Sequence, residues 1–252
     1  DYNAKLALAP SLVCFSHVSN TLGTINDAKQ LTSLAHDAGA IVMVDGAQAA
    51  PHMNVDLQDI NCDFYVASGH KMYGPTGIGF LYGKRALLDA MPPWRGGGEM
   101  ISSVSFDVPT TFNVPPYKFE AGTPHISGAI ALGAAIKWME SVGLDNIAAH
   151  ELALTKYAHE KLLQIEGLRI YGTADNKAGV VSFLVEGTHP SDLGTLLDQL
   201  GVAVRTGHHC TEPLMDWYKI PGTVRASFGA YNTFEEIDAL VAALERAIKM
   251  LK

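Results

Sequence analysis

The sequence predicts an α/β protein: a mostly parallel sheet flanked by helices over residues 1–142, followed by a smaller α+β domain over residues 143–252. Three observations carry this. Short, continuously apolar runs recur through the first half with helical patterns between them, the signature of strands covered on both faces. The chain has 252 residues and 48% hydrophobic content, enough for one large domain or two smaller ones with a sizeable core. Near Gly143 the pattern changes to long amphipathic helices alternating with strands.

The elements follow in order. Leu12 to Val18 reads as a buried strand. Asp27 to Ala38 has apolar residues at helical spacing and ends at Gly39, a good C-cap. Ile41 to Val44 is an apolar, β-branched strand halted by Asp45, and Phe64 to Ala67 is a second, halted by Ser68. Gly77 to Tyr82 reads as a third strand, followed by a helix from Lys84 to about Ala90. Pro92-Pro93 and Gly96-Gly97-Gly98 break the pattern, and 95–117 reads as a long loop, a kind that tends to be functional. A helix rich in small residues then spans Ser127 to Ser141. In the second part a helix runs from about Asp145 to Glu166. Strands are expected at Arg169–Tyr171, Val180–Glu186, Val202–Arg205 and Val224–Ser227, with helices at Ser191–Leu200 and Phe234–Leu251. No internal repeat and no low-complexity segment interrupts this series.

Composition removes several function classes. A net charge of −8 without a basic stripe argues against nucleic acid as a partner. No apolar run is long enough to span a membrane, and Asp1-Tyr2-Asn3-Ala4-Lys5 forms no basic n-region, so neither anchor nor signal peptide is expected. Cys14, Cys62 and Cys210 are odd in number, far apart and lack a Cys-x-x-Cys spacing. That argues against a disulfide framework or structural zinc, and a reducing cytoplasm is the expected location.

Ligands of open α/β sheets gather at the carboxyl ends of strands. Asp45 closes one strand, and Ser68-Gly69-His70-Lys71 follows another. Pyridoxal 5'-phosphate (PLP) chemistry needs a lysine amine to bond the cofactor aldehyde and a carboxylate to keep the pyridine nitrogen protonated. Asp45 and Lys71 suit those roles, and Ser68 and His70 can donate to a phosphate. Taken singly, the Asp is equally a strand-end cap and the Lys a solvated surface residue. Arg225 interrupts an apolar strand, as either a carboxylate clamp or a structural ion pair. Asn20 is either a binding residue or a turn residue before Gly23. Cys210 lies in a polar Gly-His-His-Cys-Thr-Glu run. His208, His209 and Arg205 are the neighbours that can stabilise its thiolate, the form a nucleophile requires. A buried inert cysteine and a His-His-Cys metal site are the competing readings. The latter is weak because adjacent histidines rarely converge and no fourth ligand is in view. Cys14 and Cys62 read as core.

Five blocks occur along essentially the whole chain: Ser16-His17-Val18-Ser19-Asn20, Val44-Asp45-Gly46-Ala47-Gln48, Ser68 to Pro75, Phe119-Glu120-Ala121-Gly122-Thr123-Pro124 and Arg205-Thr206-Gly207-His208-His209-Cys210. This series resembles the cysteine desulfurases of PLP fold-type I, in the aminotransferase class V family, and the last block resembles the SufS-type, group II branch. The resemblance implies a PLP-binding large domain over 1–142 and a small domain over 143–252 carrying the nucleophile. It implies that Lys71 is the Schiff-base lysine and the base at the substrate Cα, and that Asp45 partners the pyridinium. Gln48 then lies near the phenolic oxygen, and Ser68 and His70 bind the phosphate. Thr123 reaches the phosphate of a neighbouring subunit's cofactor in a homodimer. Asn20 and Arg225 hold the substrate carboxylate, with Arg205 close by. The implied reaction converts L-cysteine to L-alanine and a persulfide on Cys210, passed to a SufE-like acceptor for iron–sulfur cluster assembly.

Two departures from the family pattern stand out. Arg95 occupies a position before the triple glycine that is often acidic in the family. The upstream part of the family's large domain, with its phosphate-binding helix N-terminus and ring-stacking histidine, has no counterpart in these residues. Selenocysteine lyase and a truncated, non-catalytic scaffold for a sulfur acceptor are the alternatives.

Overall fold

A computed structural model describes residues 1–251, which divide into two compact units. The first comprises Asp1–Phe15, Asp27–Ala47 and Asp56–Ser141; the second comprises Ser16–Asn26, Gln48–Val55 and the chain from Val142 onward.

The first unit holds α1 (Tyr2–Leu6), β1 (Leu12–Ser16), α2 (Ala28–Asp37), β2 (Ile41–Asp45), α3 (Leu57–Ile60), β3 (Phe64–Ser68) and β4 (Gly79–Gly83). It continues with α4 (Arg85–Ala90), a small hairpin of β5 (Ile101–Ser103) and β6 (Thr111–Phe112), and α5 (Ile126–Val142). The sheet order is β1-β2-β3-β4. β2 and β3 are parallel, with Asp45 opposite Val66, and β4 returns antiparallel with Gly79 opposite Ser68. The expected α/β class holds, with a mixed sheet. Val42, Val44, Tyr65 and Ala67 are buried while Ile41 and Leu81, on the other face, stay exposed. Successive side chains leave a strand on opposite faces, and this chain covers one face more fully than the other, short of the expected double cover. The long loop also contains structure of its own, the β5–β6 hairpin.

Local chemistry explains the boundaries. The Asp27 carboxylate accepts from the Gln30 amide at 2.9 Å and caps α2, and Gly39 follows the helix at φ +81°. Asp63, buried before β3, accepts from His36 Nε2 at 2.8 Å, from the Val42 amide at 2.7 Å and from Lys84 Nζ at 2.8 Å. Burial works to raise this carboxyl, but the bonds from Lys84, His36 and Val42 outweigh it and hold it below the ordinary range. Asp63 thereby joins α2, β2 and the segment after β4.

The second unit holds α6 (Leu144–Leu162), β7 (Leu168–Tyr171), β8 (Val180–Val185), α7 (Pro190–Gln199), β9 (Arg205–Gly207), α8 (Glu212–Tyr218), β10 (Thr223–Ser227) and α9 (Phe234–Leu251). Its strands run β7-β8-β10-β9, each pair antiparallel. Leu154, Leu162, Phe183, Leu193, Val224 and Leu244 form the centre of its core. Pairing in β9 begins at Arg205, later than the expected Val202–Arg205 strand. Val202 instead bonds back to the Leu197 carbonyl at 2.9 Å as α7 ends, and packs with Val204 against the core.

Two early segments belong to this unit. Ala178 donates to the Gly23 carbonyl at 2.9 Å, Ile25 donates to the Asn176 carbonyl at 3.1 Å, and Val18 and Ala49 pack with Ala178. The Ser182 hydroxyl donates to the Thr21 carbonyl at 2.6 Å. His52 Nδ1 lies 2.7 Å from the buried Glu151 carboxylate on α6.

Candidate functional site

In the first unit, β3 passes directly into a tight 3-10 turn over Gly69–Lys71. The Gly69 amide donates to Ile78 at 2.9 Å, and the Met72 and Gly74 amides both donate to the Gly69 carbonyl, at 2.9 and 3.0 Å. The close packing demands glycine. A Cβ on Gly79 would lie 2.5 Å from the Ala67 carbonyl oxygen, and one on Gly74 would lie 2.8 Å from that of Gly69. Tyr73 takes φ +58° and stacks edge-on against Trp138 at 4.8 Å. Lys71 is half-buried and forms no ion pair among the described residues. The Ser68 hydroxyl and His70 Nδ1 are 2.8 Å apart.

Asp45 ends β2, exposed, with Oδ1 accepting from the Ala47 amide at 2.9 Å. Its neighbour Gly46 lies against the buried Tyr65 ring, where a Cβ would come within 2.0 Å of the ring. Burial pushes the Tyr65 phenol upward, so it is an uncharged packing group. Asp45, Ser68, His70 and Lys71 therefore gather at the carboxyl ends of two adjacent parallel strands. Thr123 lies exposed in the loop before α5, and Gln48 belongs to the second unit, half-buried in the turn that opens its segment.

The second unit gathers Asn20, Arg205, Cys210 and Arg225. Arg205 on β9 and Arg225 on β10 are directly opposite each other. Arg205 Nη2 is 3.6 Å from Cys210 Sγ, and Cys210 is exposed. Arg225 donates from Nη1 to the Asn20 carbonyl at 2.9 Å, while its buried Nε has no partner. Burial and the Arg205 charge lower the Arg225 guanidinium, with Cys210 acting the other way. No carboxylate pairs with either arginine among the described residues, so the structural ion pair considered for Arg225 does not form. Two cross-strand guanidiniums without a counter-ion favour an incoming anion. A cavity of about 610 Å³, lined by Arg205, Thr206, His208, His209, Cys210 and Glu212, opens here.

Two expectations need correction. β1, expected as a buried strand, has no buried residue, and Cys14 on it is exposed rather than core, while Cys62 is buried as expected. His209 is buried at 2% exposure and bonds through Nε2 to Thr223 Oγ1 at 2.9 Å and to the Thr223 carbonyl at 3.1 Å. Burial, followed by the Arg225 charge, lowers it to about 4. It is neutral near pH 7 and puts no positive charge beside Cys210. The cation nearest the Cys210 sulfur is the Arg205 guanidinium, 3.6 Å away, while His208 is exposed with Nδ1 3.9 Å from Glu212. The Asn20 side chain also has a structural engagement: Nδ2 donates to the His209 carbonyl at 2.7 Å.

Sequence reasoning missed Thr21, Ser182, Thr211 and Thr223, which bond across long sequence separations and carry no local signature. It also missed Lys177. This residue is 7% exposed on a cavity of about 520 Å³, donating to the Gly172 carbonyl at 2.6 Å and lying 3.3 Å from His159 Nε2. Burial lowers Lys177 to about 8 and, with the Lys177 charge adding to it, His159 to about 4. No helix among the described residues is long and apolar enough to cross a membrane.

The model of the aminotransferase class-V family matches residues 1–240. A probable cysteine desulfurase of Halalkalibacterium halodurans is 51% identical over 246 residues, covering 98% of this chain and 60% of that protein. A cysteine desulfurase of Salmonella agona is 53% identical over 240 residues, covering 95% and 59%. Among solved structures, the cysteine desulfurase CsdA of Escherichia coli superposes with a TM-score of 0.94 at 41% identity, over 100% of this chain and 63% of that one. The apo cysteine desulfurase of Thermococcus onnurineus NA1 also gives 0.94, at 42% identity over 99% and 62%. The chain thus spans about 60% of the length of the curated relatives it matches.

Proposed function

Because the chain belongs to the aminotransferase class-V family, we propose that it carries the chemistry of a PLP-dependent cysteine desulfurase, taking L-cysteine to L-alanine and leaving sulfur as a persulfide on Cys210. The single observation behind this reading is the exposed Cys210 thiol 3.6 Å from Arg205, which faces Arg225 across the strand pair. A thiol beside paired guanidiniums is the arrangement that a nucleophile next to a carboxylate clamp requires.

The family and the desulfurase relatives use PLP, and the residues of the first unit fit that group. A strand-end carboxylate, a primary amine without a counter-ion and a paired hydroxyl and imidazole match its pyridinium, aldehyde and phosphate. Bound PLP supplies an electron sink that labilises bonds at the substrate Cα. Lys71 holds the cofactor and moves the Cα proton, and Asp45 keeps the ring nitrogen protonated. Gln48, Ser68, His70 and Thr123 complete the contacts, Thr123 toward the other subunit of a homodimer. Arg225, Asn20 and Arg205 hold the substrate carboxylate. The Cys210 thiolate attacks the substrate sulfur, the carbon–sulfur bond breaks with its electron pair left on carbon, and a proton on that carbon completes alanine. The persulfide sulfur then leaves to a SufE-like acceptor in the cytoplasm for iron–sulfur cluster assembly. The SufS-type motif Arg205-Thr206-Gly207-His208-His209-Cys210 supports this assignment within the family.

Persulfide labelling and the visible spectrum of the native protein test the reading. Lys71→Ala is expected to abolish the borohydride-reducible cofactor linkage. Cys210→Ala is expected to lower persulfide formation by at least about 10³-fold. Persulfide formation that survives Cys210→Ala sinks the proposal, and unimpaired turnover of selenocysteine by the same variant points to a lyase.

A further inference from the structure

We infer, resting on the desulfurase reading, that His209 and Asn20 are positioning residues that hold Cys210 in a disfavoured backbone conformation beside the Arg205 guanidinium. His209 and Cys210 are consecutive non-glycine residues with φ of +54° and +64°. Side chains with a Cβ rarely occupy that region, and the surroundings must impose it.

Four sets of bonds do so. The Asn20 side-chain amide donates to the His209 carbonyl at 2.7 Å. The His209 ring is fixed from the other side by Thr223. A carbonyl can only accept, so Nε2 carries the proton toward the Thr223 carbonyl at 3.1 Å, with Oγ1 at 2.9 Å. On the far side of the kink, the Thr211 amide and hydroxyl both donate to the His208 carbonyl, at 2.9 and 2.8 Å. Thr211 Oγ1 also lies 2.8 Å from Thr21 Oγ1. Thr21 and Thr223 are fully buried, so these anchors do not exchange with solvent.

The buried ring is neutral, so it acts on the loop through its hydrogen bonds and not through charge. The kink leaves Sγ exposed, with a guanidinium 3.6 Å away. The sequence displays His209 as a candidate cation, whereas its geometry makes it an uncharged prop.

The charge preference of Cys210 alkylation tests this without cofactor or turnover. Iodoacetate and iodoacetamide differ in charge but little in size, and the ratio of their rates reports the positive field at the sulfur. Mass spectrometry of the Cys210 peptide gives the ratio, with exposed Cys14 as reference in the same chain. The expected ratio is about threefold to tenfold higher at Cys210 than at Cys14, and Arg205→Gln is expected to bring it down to the Cys14 value. His209→Leu and Asn20→Ala are expected to lower it at least about twofold, and His209→Gln, which keeps an N–H donor, to recover most of it. A folded His209→Leu variant with the wild-type ratio overturns the proposal. If His209→Leu does not fold, an unchanged ratio in Asn20→Ala does the same. Survival of persulfide formation in Cys210→Ala defeats the desulfurase reading while leaving this ratio untouched, so the two failures are distinguishable.

Discussion

Lys71 and Cys210 are presented by opposite means. The Lys71 turn is framed by its own backbone, through amides of Gly69, Met72 and Gly74 bonded within ten residues and glycines packed where a Cβ has no room. The Cys210 loop is framed by side chains from far along the chain, with Asn20, Thr21 and Thr223 holding it. A reactive residue on a backbone frame can be exchanged without loosening its surroundings. In the Cys210 loop, the groups that surround the thiol also hold the structure.

The largest expected effect breaks the backbone frame. Gly79→Ala places a Cβ 2.5 Å from the Ala67 carbonyl oxygen, backbone that cannot swing aside. A loss of about 3 kcal/mol or more is expected in urea unfolding, as for a severe overpacking. A loss below 1 kcal/mol by the same measurement, within the cost of a mild overpacking, shows that this frame yields.

Acid probes the second frame. His209 and His159 are lowered to about 4 in the fold and return to about 6.5 when unfolded. The unfolded chain binds more protons between those values, so their contribution is complete above pH 6.5 and is lost as pH falls toward 4. His209 alone is expected to account for roughly 2 kcal/mol, seen as a flatter pH dependence of the urea midpoint in His209→Gln. An unchanged slope refutes the assignment of a neutral ring. Lys177 extends the same logic to alkali: lowered to about 8 from 10.5, it is expected to make stability rise as pH increases across that interval.

Ser182→Ala removes the donor to the buried Thr21 carbonyl. A loss of about 1–2 kcal/mol is expected, together with a smaller alkylation preference at Cys210. Lys71→Ala is expected to have the smallest effect on stability, within about 0.5 kcal/mol, because Lys71 forms no ion pair among the described residues. A large destabilisation there erases the contrast between the two frames.

The same contrast sets how much of the molecule was legible in advance. The strands ending at Asp45 and Ser68 were readable because apolar runs and their polar stops lie side by side in sequence. The short helices α3 and α8 were not, since four to seven residues carry little periodicity. The β9 boundary was misplaced because Val202 and Val204 pack into the core without pairing, which periodicity alone cannot separate from a strand. Site chemistry followed the same rule. Lys71, Cys210 and Arg225 stand out as candidates by residue type and neighbours alone, while the charge state of His209 depended on burial by residues remote in sequence. Thr21, Ser182 and Thr223 are ordinary polar residues until the fold brings them to one another.

The bond between Ser182 and Thr21 spans 161 positions, and this has a consequence for the order in which the protein forms. Contacts so distant are closed late, since the intervening chain must first surrender its freedom. Residues 16–26 emerge before β8 and β10 and find their partners only after those strands have been made. Until then Asn20 and Thr21 have no loop to hold, and the conformation around Cys210 must wait for both strands.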